Sequence, residues 1–232
     1  MDDIAQAFHF ALKLILEGDR ELFETVKLSI IVSLSASIIA FLIGAPAGAV
    51  LATQTFRARP AMLVSLNALL GLPSVVIGLF VYLLLSRSGP LGFLGFLFTP
   101  QAMILAQIIL TLPIIAVMSY RATETYWADY RDTFVIFGAS RLRAVATLIS
   151  AARGALVTVF LAAFGRAIAE VGAIMMVGGN IRGFTRTMTT TIALQTSRGE
   201  LALALGLGLV LMGLTLAISA AAFFLNRRMS DY

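Results

Sequence analysis

The chain has 232 residues, of which 59% are hydrophobic and 12% charged, with a net charge of +5. A soluble domain needs about 25% charged residues to wet its surface, so a single lipid-embedded domain is expected and a large soluble core is excluded. The basic residues fall singly or in pairs between apolar runs, which speaks against nucleic acid; with no cysteine, disulfides and thiol chemistry are excluded as well.

Residues 1–23 place Ile4, Ala7, Phe8, Ala11, Leu12 and Ile15 at helical spacing, an amphipathic segment too short to span. Six acids lie within residues 1–24, and His9 and Lys13 interrupt the apolar patch, so a cleavable signal peptide is not expected. Residues 24–232 then read as the membrane domain. Five continuous apolar runs, near 28–51, 62–85, 102–118, 156–177 and 201–224, are long enough to cross a hydrocarbon core of roughly 30 Å as helices. Gly44, Pro46 and Gly48 interrupt the first, Gly71 and Pro73 the second, and Pro113 the third. The fold class is therefore an all-α integral membrane protein of about five spanning helices preceded by an interfacial helix.

Five crossings put the termini on opposite sides. With the N-terminus outside, the inner segments hold nine basic residues (Arg57, Arg59, Arg121, Arg131, Arg141, Arg143, Arg153, Arg227 and Arg228) and the outer segments seven. Nine against seven is a narrow vote for N-out, C-in.

The polar stretch 121–153, between runs three and four, is the expected inner loop. Gly138 suits the residue after a helix end, and Ser140 suits the cap of the next helix. Two short helices meeting at Gly138, Ala139 and Ser140 are expected; the corner can dock on a partner or be an ordinary capped loop. In run four, Arg166 and Glu170 are the only charges well inside a span, and at i, i+4 they can pair. They either line a pathway or gate, or hold span four against a neighbour. Gly165, Gly172, Gly178, Gly179 and Gly183, with five alanines, give that run a small face suited to close packing. Residues 180–200 combine Arg182, Arg186 and Arg198 with Thr185, Thr187, Thr189, Thr190 and Thr191. Such a surface suits a tetrahedral oxyanion or an acidic docking patch, or it is a solvated loop.

Absences narrow the chemistry. No glycine-rich phosphate loop occurs, and the two lysines, Lys13 and Lys27, do not follow a glycine. One histidine, His9, makes a serine-histidine-aspartate triad improbable. A metal site is not expected, nor a cofactor in this chain, and the chain is not expected to be an enzyme.

Three stretches carry a family resemblance. Residues 121–143 resemble the coupling motif of ABC importers, with Asp132, Thr133 and Phe134 at its Glu-Ala-Ala positions and Gly138 at its glycine; the motif's later Leu-Pro falls at Ser150 and Ala151, so the proline is missing. Residues 164–183, with Ala169-Glu170-Val171-Gly172 and Met175-Met176-Val177-Gly178-Gly179-Asn180, resemble tungstate- and molybdate-type permeases, nearer the tungstate branch. So do residues 72–78 with 89–92, and the opening at 24–29 and 44–48. The resemblance covers about 24–226. It implies a type I-like importer domain in a prokaryotic inner membrane, two copies forming the pore. Asp132, Thr133, Phe134, Gly138, Ala139, Ser140 and Arg141 would couple to a cytoplasmic ABC ATPase dimer, which carries the ATP and Mg²⁺. Arg166, Glu170, Gly172, Gly178, Gly179 and Asn180 would form the path or gate. Arg182, Arg186 and Arg198 would make an outer basic loop facing an extracytoplasmic oxyanion-binding protein. Tungstate or molybdate is the implied cargo, with sulfate or phosphate as alternatives. A secondary transporter using Arg166 and Glu170, or a membrane scaffold, are the rivals from other classes.

Overall fold

The computed structural model describes residues 20–230, and these contain helices and no strand. The amphipathic segment expected at 1–23 lies almost wholly outside the described residues; Arg20 already belongs to the first helix. Helix α1 (Arg20–Thr53) and helix α4 (Pro100–Ile136) have 34 and 37 residues. At 1.5 Å per residue each is about 50 Å long or more, so each reaches beyond a hydrocarbon core of about 30 Å. Proline is tolerated inside both, at Pro46 and Pro113.

These two helices lie side by side in the same direction, Ser33 beside Gln107 and Gly48 beside Tyr120. Lipid removes the usual drive to bury apolar surface, so close backbone approach must supply the attraction. The residues at the seam are small: Ala36, Ser37, Ala40, Gly44, Ala45, Gly48 and Ala49 are all buried. A Cβ at Gly48 would sit 2.5 Å from the Ala116 carbonyl oxygen and 2.6 Å from the Tyr120 nitrogen. Only glycine lets the helices meet there. Two hydroxyls along the seam fold back on the preceding turn, Ser29 onto the Thr25 carbonyl and Thr111 onto that of Gln107, both at 2.7 Å, while those of Ser37 and Ser119 have no partner among the described residues. That satisfies Ser29 and Thr111 without water.

Two of the five expected runs are not single helices. The second divides into α2 (Arg59–Leu69) and α3 (Ser74–Leu85), bent by 101°. Pro73 lacks an amide hydrogen and sits extended at φ −63°, ψ 125°, which stops any helix crossing Gly71–Pro73. The fourth is broken at its far end. Helix α5 (Arg141–Ala151) turns by 74° into α6 (Arg153–Ile168), which stops short of a separate helix of about two turns, α7 (Gly172–Gly178). The third run, expected to be the shortest, is the buried part of the longest helix. The stretch 180–200 is not a plain loop: it contains α8 (Met188–Ser197), started by a reciprocal cap between Thr187 and Thr190. Helix α9 (Leu201–Ser230) follows. Among the described residues three helices are long and apolar enough to cross a membrane, and up to five crossings result when each bent pair counts as one.

The core has two parts along the α1–α4 seam. One gathers Val32, Val81, Leu85, Met103, Ile174 and Val177, where α3 and α7 meet the seam. The other gathers Ala40, Ile115, Leu156, Val159 and Ala163, where α6 meets it. Large apolar side chains such as Leu42, Val64, Phe80, Leu83 and Leu216 point outward, as expected where lipid or another subunit is the surroundings.

Candidate functional site

The described residues hold three candidate regions, set along the molecule in the order the α1–α4 seam dictates. At one extreme, α4 ends in a tight corner. Gly138 adopts φ +60°. The Ala139 amide donates to the Phe134 carbonyl at 2.9 Å and the Gly138 amide to the Val135 carbonyl at 3.1 Å. These nested bonds close a helix end around a left-handed residue. Ser140 then accepts from the Arg143 amide at 3.4 Å and starts α5. The glycine and serine roles read from sequence hold, while the expected pair of short helices does not: the first partner is the 37-residue α4.

The amides at the corner are bonded, but its side chains are not covered. Val135, Ile136, Phe137 and Leu142 are exposed, Phe137 at 82% and Leu142 at 85%. Trp127 stacks on Phe134 with ring centroids 5.9 Å apart, stiffening the last turns of α4. Asp132, Thr133, Ser140 and Arg141 are exposed around this knuckle, and Phe134 and Ala139 are half-buried. Sequence reasoning found the polar and glycine positions and missed the knuckle itself. The signal was Val135-Ile136-Phe137 standing alone in a charged stretch.

The second region is the break in the fourth run. Helix α6 stops at Ile168, and Glu170 turns inward with only 3% of its side chain exposed. One carboxylate oxygen accepts from Arg166 and the other from the Ala173 amide at 3.1 Å. The Ser74 hydroxyl faces this carboxylate beside Gly172. The Glu170 backbone carbonyl accepts from Thr189 at 2.8 Å. One residue thus joins the starts of α3 and α7 to α8. The expected pair of Arg166 and Glu170 forms, though across a helix end rather than along an unbroken face. Gly172 is what lets the two breaks touch, since a Cβ there would lie 2.7 Å from Val75 and 3.0 Å from the Ser74 hydroxyl.

The other residues expected along a path close the end of α7. Gly178 is buried, and a Cβ there would meet the Met103 sulfur at 3.0 Å. Gly179 is left-handed at φ +69°, with Phe98 against it. Asn180 follows at φ +50°. Nearby, Gln107 is fully buried and donates to the Ala167 carbonyl at 2.8 Å, tying α4 to the last turn of α6. Sequence reasoning passed over Ser74 and Gln107; the clue to Gln107 was a lone amide in an apolar run.

The third region lies at the start of α1. Arg182 donates through Nε and Nη2 to the two oxygens of Glu21, at 2.9 and 2.5 Å, and Arg186 lies 3.5 Å from the same carboxylate. Arg182 and Arg186 therefore already hold an anion, which corrects the expectation of an open basic surface. Arg198 is apart from them, at the end of α8, and takes part in no salt bridge among the described residues. The threonines do not present hydroxyls outward either. Thr185, Thr187, Thr189 and Thr190 are buried, and Thr185 donates to the Gly178 carbonyl at 2.6 Å. Threonine is common in this stretch because it caps and cross-links backbone, a use that composition alone does not separate from ligand binding.

Between the corner and the break, Arg59 donates to the Leu51 carbonyl at 2.8 Å, to the Tyr120 hydroxyl at 3.1 Å and to Glu124 at 3.3 Å. Tyr120 donates in turn to Glu124. This cluster, also missed from sequence, fixes the start of α2 to the end of α1 and to the middle of α4. Among the described residues no group of acids or histidines is arranged to hold a metal ion.

Comparison with known proteins gives these regions a setting. The family described as "Binding-protein-dependent transport system inner membrane component" matches residues 40–231. The chain is 37% identical over 225 residues to the tungstate uptake system permease protein TupB of Peptoclostridium acidaminophilum, covering 97% of this chain and 99% of that one. It is 37% identical over 226 residues to TupB of Campylobacter jejuni, covering 97% and 92%. The molybdenum transport system permease protein ModB of Mycobacterium tuberculosis is 29% identical over 184 residues, covering 72% and 66%.

Proposed function

Because the chain belongs to the family of binding-protein-dependent transport system inner membrane components, a multi-pass membrane fold is its setting, and we propose that it is the permease subunit of an ATP-driven tungstate importer. Near full-length similarity to two tungstate permeases, against partial similarity at lower identity to a molybdenum permease, supports tungstate over molybdate. Family membership also removes the secondary-transporter and scaffold rivals.

The observation that carries the coupling role is the uncovered knuckle at the end of α4. Exposed aromatic and aliphatic side chains on a rigid corner with bonded amides are what a partner's pocket takes up. On this reading the corner lies in the cytoplasm and seats on an ABC ATPase that holds ATP and Mg²⁺. The start of α1 lies outside, and two copies of the chain enclose the pore. Movement of the corner travels along α4, past the Arg59–Tyr120–Glu124 cluster, to Gln107 and so to the break at Glu170. The two helix breaks that meet there, before α3 at Pro73 and after α6 at Ala169–Val171, interrupt the helical backbone and so are the places where a gate would bend. Arg166 and Glu170 hold the gate's parts together, and Gly172 allows their approach. This chain contributes no catalytic group.

The test is uptake of tungstate into liposomes holding the permease and its ATPase, with binding protein added outside and molybdate and sulfate as competitors. Uptake is expected to need all three proteins and ATP, with sulfate the poorest competitor. ATP hydrolysis by the isolated chain, or uptake without the ATPase, would overturn the assignment.

A further inference from the structure

Beside the Glu21 ion pairs lies a cleft of 290 Å³, lined by Glu21, Glu24, Lys27, Leu28, Phe184 and Arg186 among others. Residues 21–31 of α1 form one wall and the turn before α8 the other. Arg182 grips Glu21 with two parallel N–H bonds, and Arg186 adds its charge while donating to the Asn180 carbonyl at 3.4 Å. A further donor remains at this point, because the Nε of Arg186 is buried and has no acceptor.

We propose that Glu21 is an internal stand-in for a carboxylate of the extracytoplasmic binding protein, masking the Arg182–Arg186 fork until docking exchanges one carboxylate for the other. The proposal rests on the importer reading above. Three observations carry it. The Arg182–Glu21 pair is open, at 73% and 45% exposure. Such pairs hold a fold together weakly, by about 0–1 kcal/mol, so their breaking is compatible with an intact domain. The fork already fits a planar carboxylate, two donors to two oxygens, the geometry arginine uses for protein carboxylates. The adjoining cleft offers room and apolar surface at Leu28, Ile31 and Phe184 for the rest of an incoming side chain.

The oxyanion itself fits this place less well. Glu21 and Glu24 both line the cleft, and two carboxylates repel a small dianion at close range. A protein segment brings only one negative charge to the fork and buries apolar surface beside it.

The experiment measures affinity of the binding protein, loaded with tungstate, for the permease–ATPase complex in nanodiscs of neutral lipid, at low and high salt. Wild type, E21Q, the pair R182Q/R186Q and the triple variant are compared, with melting temperature recorded for each. E21Q is expected to tighten docking at low salt by about twofold to fivefold, the worth of one exposed ion pair, and less at high salt. R182Q/R186Q is expected to weaken docking, and adding E21Q to it to change nothing further. Weaker or unchanged docking by E21Q, at an unchanged melting temperature, overturns the exchange while leaving the importer reading standing. A lowered melting temperature in E21Q marks Glu21 as a structural tie and overturns the proposal too. Failure of the wild-type complex to bind any loaded binding protein removes both the importer reading and this proposal.

Discussion

The corner after α4 and the knot around Glu170 are opposites in construction. At the corner the amides of Phe137, Gly138 and Ala139 all bond back onto the end of α4 while the Phe137 and Leu142 side chains stand uncovered. At the knot the Glu170 side chain is buried and bonded, with Arg166 and the Ala173 amide donating to one carboxylate that the Ser74 hydroxyl faces. Completion of the corner must come from outside the chain, and completion of the knot has come from within it. Damage to the knot therefore reads out in the stability of the permease itself. Damage to the knuckle reads out in assembly.

The largest effect is expected at the knot. Glu170→Ala removes the acceptor of Arg166 and of the Ala173 amide and unties α6 from α7, at a cost of about 1–3 kcal/mol for an orphaned buried donor. Expression in membranes and thermal stability in detergent are expected to fall sharply. Arg166→Met should cost less, because Arg166 is 44% exposed and Ser74 and Ala173 still serve the carboxylate. Simple symmetry between Arg166 and Glu170, in singles and in the double variant, would contradict the knot and return the pair to an isolated ion pair.

The knuckle comes next. Phe137→Ser with Leu142→Ser removes two apolar side chains that touch little in this chain, so melting temperature is expected to stay near that of wild type. Recovery of the ATPase on co-purification should fall by tenfold or more, as loss of a central anchor of about 2 kcal/mol implies. Equal recovery would place the docking surface elsewhere.

Much of the corner was legible because its chemistry is local. A glycine in a left-handed turn and a serine cap each act within four residues, and Gly138 and Ser140 do so here. The continuity of α4 was not legible, since its far half is polar enough to pass for a loop and is held by Arg59 from a distant helix. The knot was half legible. Arg166 and Glu170 are neighbours in sequence, whereas Ser74 and Thr189 reach Glu170 only through the fold. The threonines of 185–191 and the arginines at 182 and 186 misled for a related reason: composition names the donor but not its acceptor, and their acceptors are the chain's own carbonyls and Glu21.

The smallest effect separates strain from obstruction at Gly138. A Cβ at this position would meet nothing of this chain within 4 Å, so a side chain causes no internal clash. What it does cause is strain, since φ +60° disfavours residues with a Cβ by about 1–2 kcal/mol. Asparagine tolerates that conformation better than alanine. Gly138→Asn should thus keep more thermal stability than Gly138→Ala, although asparagine is larger. Assembly with the ATPase orders the two differently if a partner lies against this face. When only backbone shape matters, recovery of the ATPase follows stability, and asparagine outperforms alanine. When the partner packs closely over the corner, size decides, and asparagine recovers less ATPase despite being the more stable variant. The second ordering is the one expected from an uncovered knuckle that a pocket takes up. The first would mean that Gly138 serves the shape of the corner alone and that the partner's contact is confined to Phe137, Leu142 and their neighbours.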